Sequence, residues 1–348
     1  MIEQKSREAF VSEIRNETIL RTQKPSPAVQ FNEILGDARE KHGLRAEFYE
    51  IKDVVNSVHE AVFAAVSAYL DKMEANLKTV VMVVDAKNIE DPQDGSDCVI
   101  VKSRPLKERK VSEDPALAIC PHMVYSNQQS AHSLGTAFFL RENEIATAAH
   151  VVVGFHVKFQ DVRFVYGVHI EGPSSFKNEI RVHKSKVFKP QAGLTEPNAH
   201  YLSRMSSDWA RIKVEQAYLG FDINTVKPVT LPKMDDYTNS FGTNGTIKGK
   251  KVYSIGHGLG LPMKISYAGE VSWRGVKSPY FETDLTLLGG SSGAPVFDAE
   301  THELLGIFIR GTKKLILGPC SDGPQRLVIK DEGSRHNGQE CQRLEPVV

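Results

Sequence analysis

The sequence predicts a mainly β protein, an antiparallel barrel or sandwich with a helical N-terminal extension. Two observations carry that expectation. Beyond residue 117, apolar segments of strand length recur, divided by turns that carry Gly, Pro or Asn, with no helical pattern between them. Before Leu77 the apolar residues instead recur every three or four positions, the period of one helix face. With 41% apolar and 25% charged residues, the chain has ordinary material for a globular core.

From the N-terminus, a short helix is expected over Arg7–Leu20. A long one is expected over Glu47–Leu77, where Phe48, Ile51, Val55, Val58, Val62, Val66, Tyr69, Met73 and Leu77 share a face and no Gly or Pro intervenes. Val80–Val84 and Cys98–Val101 read as strands separated by the turn Asp91-Pro92-Gln93-Asp94-Gly95, which lacks EF-hand spacing. Ser103–Pro115 is charged and carries two prolines, so it reads as a linker. Ten strands are then expected: Leu117–Val124, Gly135–Leu140, Glu144–Ala148, Val162–Ile170, Ile180–Val187, Trp209–Val214, Lys251–Ile255, Ser266–Trp273, Ala294–Asp298 and Glu303–Ile309. The expected plan is therefore a mostly helical region over 1–102, a linker over 103–116, a β domain over 117–318 and a tail over 319–348.

Charge removes several function classes. Lys plus Arg and Asp plus Glu both total 43, so no basic field recruits nucleic acid. No apolar run is long enough to span a bilayer, and Met1–Arg21 lacks the apolar core of a secretory signal. A cytoplasmic protein without a membrane partner is the expectation. Cys98, Cys120, Cys320 and Cys341 form no C-x-x-C pair, so neither zinc nor a disulfide scaffold is expected. A Cys320–Cys341 bridge is one option, and free thiols are the default. No H-E-x-x-H pattern occurs, and no metal or cofactor is expected.

Three segments carry chemistry. A serine hydroxyl attacks only when a base takes its proton, and the base, usually His, needs a carboxylate to fix its tautomer. Gly289-Gly290-Ser291-Ser292-Gly293-Ala294-Pro295 supplies a Ser on a Gly-rich turn, where N–H groups can converge on an oxyanion. Ile145-Ala146-Thr147-Ala148-Ala149-His150 supplies a His at a strand end walled by small residues, following Gly135-Thr136-Ala137-Phe138-Phe139-Leu140. Ser207-Asp208-Trp209-Ala210-Arg211-Ile212 supplies an acid opening an alternating strand. The same glycines also fit a G-x-S-x-G elbow with Ser291 as nucleophile. That fold needs an acid and then a His after the serine, and a helix where Ala294–Phe297 is strand-like. The order His, Asp, Ser excludes it.

These segments resemble the trypsin/chymotrypsin superfamily, most of all its bacterial branches, the Deg/high-temperature-requirement proteases and the glutamyl endopeptidases. The G-x-S-G-x-P block falls on Gly290, Ser292, Gly293 and Pro295, the A-A-H block on Ala148–His150, and the D-hydrophobic-A block on Asp208–Ala210. Ile255–Leu261 with Gly269–Ser272 resembles the Deg I-G-x-P-x-G-L…G-x-V-S stretch, departing from it at Gly258, and Thr283-Asp284 matches its T-D pair. The resemblance spans Leu117 to Gly311. It implies two six-stranded β-barrels with a cleft between them, Ser292 as nucleophile, His150 as base and Asp208 as orienting acid. It places the oxyanion hole at the N–H groups of Gly290 and Ser292, and substrate pairing along Ile309, Arg310 and Gly311. The specificity pocket would involve Thr286, Leu287 and Phe308. Phe308 stands where glutamyl endopeptidases carry His, which favours an apolar or small side chain, while Arg310, Lys313 and Lys314 would favour an acid. A protein or peptide substrate is implied, with the N-terminal helices open to a regulatory protein partner. The alternative is a retired protease fold serving as a binding module, its function carried by the N-terminal region.

Overall fold

The computed structural model describes residues 48–49, 64–109, 118–123, 125–153, 157–170, 178–194, 208–218, 228–231, 247–272, 280–311, 315–320, 325–329 and 339–343, with 176, 198–199 and 323. Among these, twelve strands close two antiparallel barrels. The first uses β1 Val80–Asp85, β2 Ser133–Arg141, β3 Glu144–Thr147, β4 Val162–Tyr166, β5 Val187–Pro190 and β6 Ala210–Gln216. The second uses β7 Lys251–Gly256, β8 Lys264–Ser272, β9 Tyr280–Thr283, β10 Pro295–Asp298, β11 Leu304–Arg310 and β12 Gln339–Gln342. The strand order around the first is β1-β2-β3-β6-β5-β4, and the second repeats it as β7-β8-β9-β12-β11-β10, each ring closing on its first strand.

Side-chain alternation explains why β1 is apolar throughout. Val81 and Val83 face the core that runs through the first barrel, while Met82 and Val84 face outward. That outer face is covered by a three-stranded sheet containing Cys98–Val101 and Ile180–His183, whose Val99, Val101, Ile180 and Val182 pack on it. The second barrel holds Val252, Val271, Phe281, Leu287, Val296, Phe308 and Cys341. Its outward residues Tyr253, Ile255, Phe297, Ile307 and Ile309 join the first barrel's core, so the seam between barrels is apolar and continuous. Each such side chain contributes roughly 1.5–3 kcal/mol on burial.

Helix α1, Ala64–Leu77, lies against this seam. Met73 and Leu77 enter the shared core. Buried Asn76 donates to Tyr253 Oη at 2.9 Å and to the His302 carbonyl at 2.8 Å, and Tyr253 Oη lies 2.9 Å from His302 Nδ1. The helix feeds β1 after two residues.

Several expectations are corrected here. The boundary at 102/103 divides the first barrel, because β1 pairs with both β2 and β4. Ser103–Pro105, expected in a linker, pairs with Gln129–Ala131. Phe48–Tyr49, expected in the long helix, is extended and pairs with Ser266 and Ile265 of β8. Residues 118–123 form a turn with a single bridge from Ile119 to Leu327, not a strand. Gln339–Gln342, expected in the tail, closes the second barrel between β9 and β11. The expected helix over Arg7–Leu20 and the linker residues 110–115 lie outside the described residues.

The cysteines differ as well. Cys120 and Cys320 form a disulfide, and Cys98 and Cys341 remain free thiols. Cys341 could not have taken Cys320, since it sits fully buried in β12, opposite Phe281 and Phe308. The bridge joins the segment before β2 to the hairpin of Leu315–Pro319 and Gln325–Ile329, beside a small core of Leu106, Ile119, Leu261 and Leu327. The Cys120–Cys320 bridge departs from the free thiols expected by default, and disulfides persist in oxidising compartments. No helix among the described residues is long and apolar enough to cross a membrane.

Candidate active site

His150 follows the end of β3 on a one-turn helix, α2, Ala149–Val152. Ala148 and Ala149 are fully buried, which lets this turn settle on the apolar seam while the imidazole stays partly exposed. Asp208 stands just ahead of β6. Ala210 pairs with Thr147, so the antiparallel register carried two residues further sets Asp208 beside Ala149. Two backbone-anchored contacts follow. The Asp208 carbonyl accepts from the Ala149 N–H at 3.3 Å, and Asp208 Oδ1 accepts from the His150 N–H at 2.9 Å. The other carboxylate oxygen lies 2.7 Å from His150 Nδ1. A carboxylate there favours the tautomer with the proton on Nδ1, leaving Nε2 as the acceptor. The Asp208 N–H itself donates to Gln342 Oε1 at 2.5 Å, so the last strand of the second barrel holds the acid of the first.

Ser292 comes from the turn between β9 and β10. Gly290 and Gly293 have φ of 93° and 87°, the left-handed region in which a side chain is strained. At Gly293 space is also lacking, since a Cβ would meet the Thr136 carbonyl and Thr147 Oγ1, both at 2.2 Å. Thr136 of β2 clamps the turn. Its N–H donates to the Ser292 carbonyl at 2.8 Å and its hydroxyl to the Gly290 carbonyl at 2.9 Å, and that hydroxyl accepts from the His257 N–H at 3.0 Å. Ser292 Oγ donates to the Ile309 carbonyl at 3.3 Å. Among the described residues, the N–H groups of Gly290 and Ser292 have no protein acceptor. Ser291 points inward, 1% exposed, its hydroxyl unpartnered among the described residues.

The expected pocket residues are spread over two environments. Thr286 and Leu287 are buried ahead of the serine turn, the Thr286 N–H donating to Ser266 Oγ at 2.9 Å. Leu287 and Phe308 belong to the second barrel's core, and Ile309 to the shared seam. Arg310 is exposed and bonded to Glu340 at 3.0 Å, so its charge is already matched. Gly311 follows directly; Lys313 and Lys314 lie outside the described residues. Two contributors escaped the sequence reading. Thr136 lay inside a segment already singled out, where a Gly-Thr pair ahead of an apolar run was the available signal. Gln342 offered none, because nothing in a polar C-terminal stretch marks a strand.

Residues 135–307 match the family model described as a trypsin-like peptidase domain. The chain carries a trypsin-like peptidase domain. No curated relative matches the sequence. Among solved structures it is similar to the VesB protease of Vibrio cholerae, with 14% identity and a TM-score of 0.39 over 76% of this chain and 60% of that one. It is also similar to the HtrA-type protease AlgW with a decapeptide, with 15% identity and a TM-score of 0.38 over 79% and 63% of the two chains. The chain thus spans about three fifths of the length of these structures.

Two buried histidines make the trypsin-like domain acid-sensitive. Burial pushes His257, beside the serine turn, down to about 3, and His302, under α1, down to about 4. The unfolded chain takes up these protons below pH 6.5, whereas the folded one refuses them until each lowered value is reached. Stability is therefore complete above pH 6.5 and falls as pH drops toward 4, by about 1.4 kcal/mol per pH unit for each histidine. Denaturant melts between pH 7 and 4 should show this slope, and His302→Gln should reduce it. An unchanged slope in that variant would refute the assignment.

Proposed function

We propose that this chain is a serine endopeptidase with His150, Asp208 and Ser292 as its triad. The observation that carries the reading is the two-point hold of Asp208 on His150, at Nδ1 and at the backbone N–H. Turning of Ser292 Oγ from the Ile309 carbonyl toward His150 Nε2 precedes attack. The oxygen then bonds to the substrate carbonyl carbon as its proton passes to Nε2. The resulting oxyanion is held by the open N–H groups of Gly290 and Ser292. Collapse breaks the C–N bond, and His150 returns the proton to the leaving amine. Water repeats the sequence on the acyl-enzyme and releases the acid.

Activation by cleavage is not required in this reading. Ser291, the residue before the nucleophile, is uncharged and buried, and an ammonium group brought there would lose hydration without gaining an ion pair. Met73 and Leu77 are committed to the seam, which leaves any regulatory partner to residues ahead of them. The test is a fluorophosphonate probe on full-length protein, read by mass. Labelling of Ser292 in an uncut chain is expected. An uncut chain that never labels would favour the retired binding module, and labelling only after a cut near residues 103–117 would show that processing is needed.

A further inference from the structure

Gln339 is the first residue of β12, opposite Thr283 of β9, and is fully buried. Among the described residues neither its Oε1 nor its Nε2 has a hydrogen-bond partner. A buried amide without a protein partner is costly, and a polar group brought to it can satisfy both its donor and its acceptor. The carboxamide lies against Gly311. A Cβ built there would stand 1.7 Å from Oε1, 2.6 Å from Cδ and 3.0 Å from Nε2. Gly311 is two residues past Ile309, whose carbonyl receives Ser292 Oγ at 3.3 Å. The open amide and the nucleophile therefore flank the same three-residue stretch. Glu340, next along β12, is bonded to Arg310, so the charge at this strand end is already paired.

We infer that Gln339 selects the side chain on the acyl side of the scissile bond, and that it selects an uncharged carboxamide, Gln or Asn. The inference rests on the serine-endopeptidase reading. A peptide paired along Ile309–Gly311, with its carbonyl carbon at Ser292, brings that side chain to the face where Gln339 waits. An apolar side chain would leave the amide's donor and acceptor both unpaired. A charged one would surrender hydration with no opposite charge in return. A carboxamide donates to Oε1 and accepts from Nε2, closing both positions at once. Sites built to bond a polar group reject analogues that lack it. This replaces the apolar or small preference expected from Leu287 and Phe308, whose side chains are spent on the barrel core.

Peptides varied only at the acyl-side residue test this on the full chain. Gln or Asn should exceed Leu, Ala, Glu and Lys by about 10²-fold in kcat/KM. Gln339→Leu should move the preference to Leu, and Gln339→Glu should bring in Lys. Fluorophosphonate labelling reports separately whether each variant keeps a working nucleophile. The wild-type profile decides even if both variants fail to fold: a preference for an apolar, small or charged residue overturns the inference. So does an unaltered profile in a Gln339→Leu variant that still labels. A wild-type chain that neither labels nor cleaves removes the underlying reading instead.

Discussion

Ser292→Ala is expected to lower kcat/KM by about 10⁵–10⁶-fold, leaving only what binding and the oxyanion hole supply. Ser291→Ala should stay within about tenfold of the parent by the same kinetic measure. The two serines are adjacent in sequence but not in environment. Ser292 bonds the Ile309 carbonyl at 3.3 Å, whereas Ser291 is buried with its N–H donated to the Leu288 carbonyl at 2.9 Å. Asp208→Asn should cost about 10⁴-fold, because an amide facing Nδ1 favours the wrong imidazole tautomer. Residues of one triad act as a unit, so on the proposed assignment Ser292→Ala combined with His150→Ala should be little worse than either alone. Measured rates and probe labelling check all of these. Full activity in Ser292→Ala, or the large loss in Ser291→Ala, would reject the assignment.

The candidate triad was legible because each member lies in a short segment with its own chemical signature. The strand periods on either side then fixed where those segments end. His150 follows a strand buried throughout, and Asp208 precedes an alternating one that pairs with it, so local pattern and long-range register agree. Legibility failed where a residue's setting depends on distant chain. Phe48 fits a helical stripe, yet pairing of Phe48 and Tyr49 to β8 overrides that preference. Gln339–Gln342 reads Gln-Glu-Cys-Gln, with no alternation to announce a strand, although all four are buried between β9 and β11. Cys120 and Cys320 are 200 residues apart, and spacing alone assigns no partner. Val80–Val84 shows a further kind of failure. Its pattern is that of a strand, but the charged, proline-bearing residues after 102 resemble a boundary, whereas the strand pairs across them with β2 and β4.

Two truncations separate the boundary suggested by composition from the one set by strand pairing. A chain beginning at residue 78 keeps β1 but loses Met73, Leu77 and the Asn76 bonds to Tyr253 and His302. Emptying two large core sites costs about 2–5 kcal/mol each, which approaches the whole stability of an ordinary domain. This form should melt well below the full chain and lose activity with it. A chain beginning at residue 103 also loses β1, whose six residues are all buried. Without it β2 and β4 each expose an unpaired edge, the barrel cannot close, and Val99 and Val101 no longer cover its flank. This form should fail to fold and should aggregate, whatever remains of the second barrel. Circular dichroism melts, solubility and probe labelling of both truncations against the full chain measure the outcome. If the chain from residue 103 folds and labels at Ser292, then β1 is dispensable and the protease unit does begin after the expected linker.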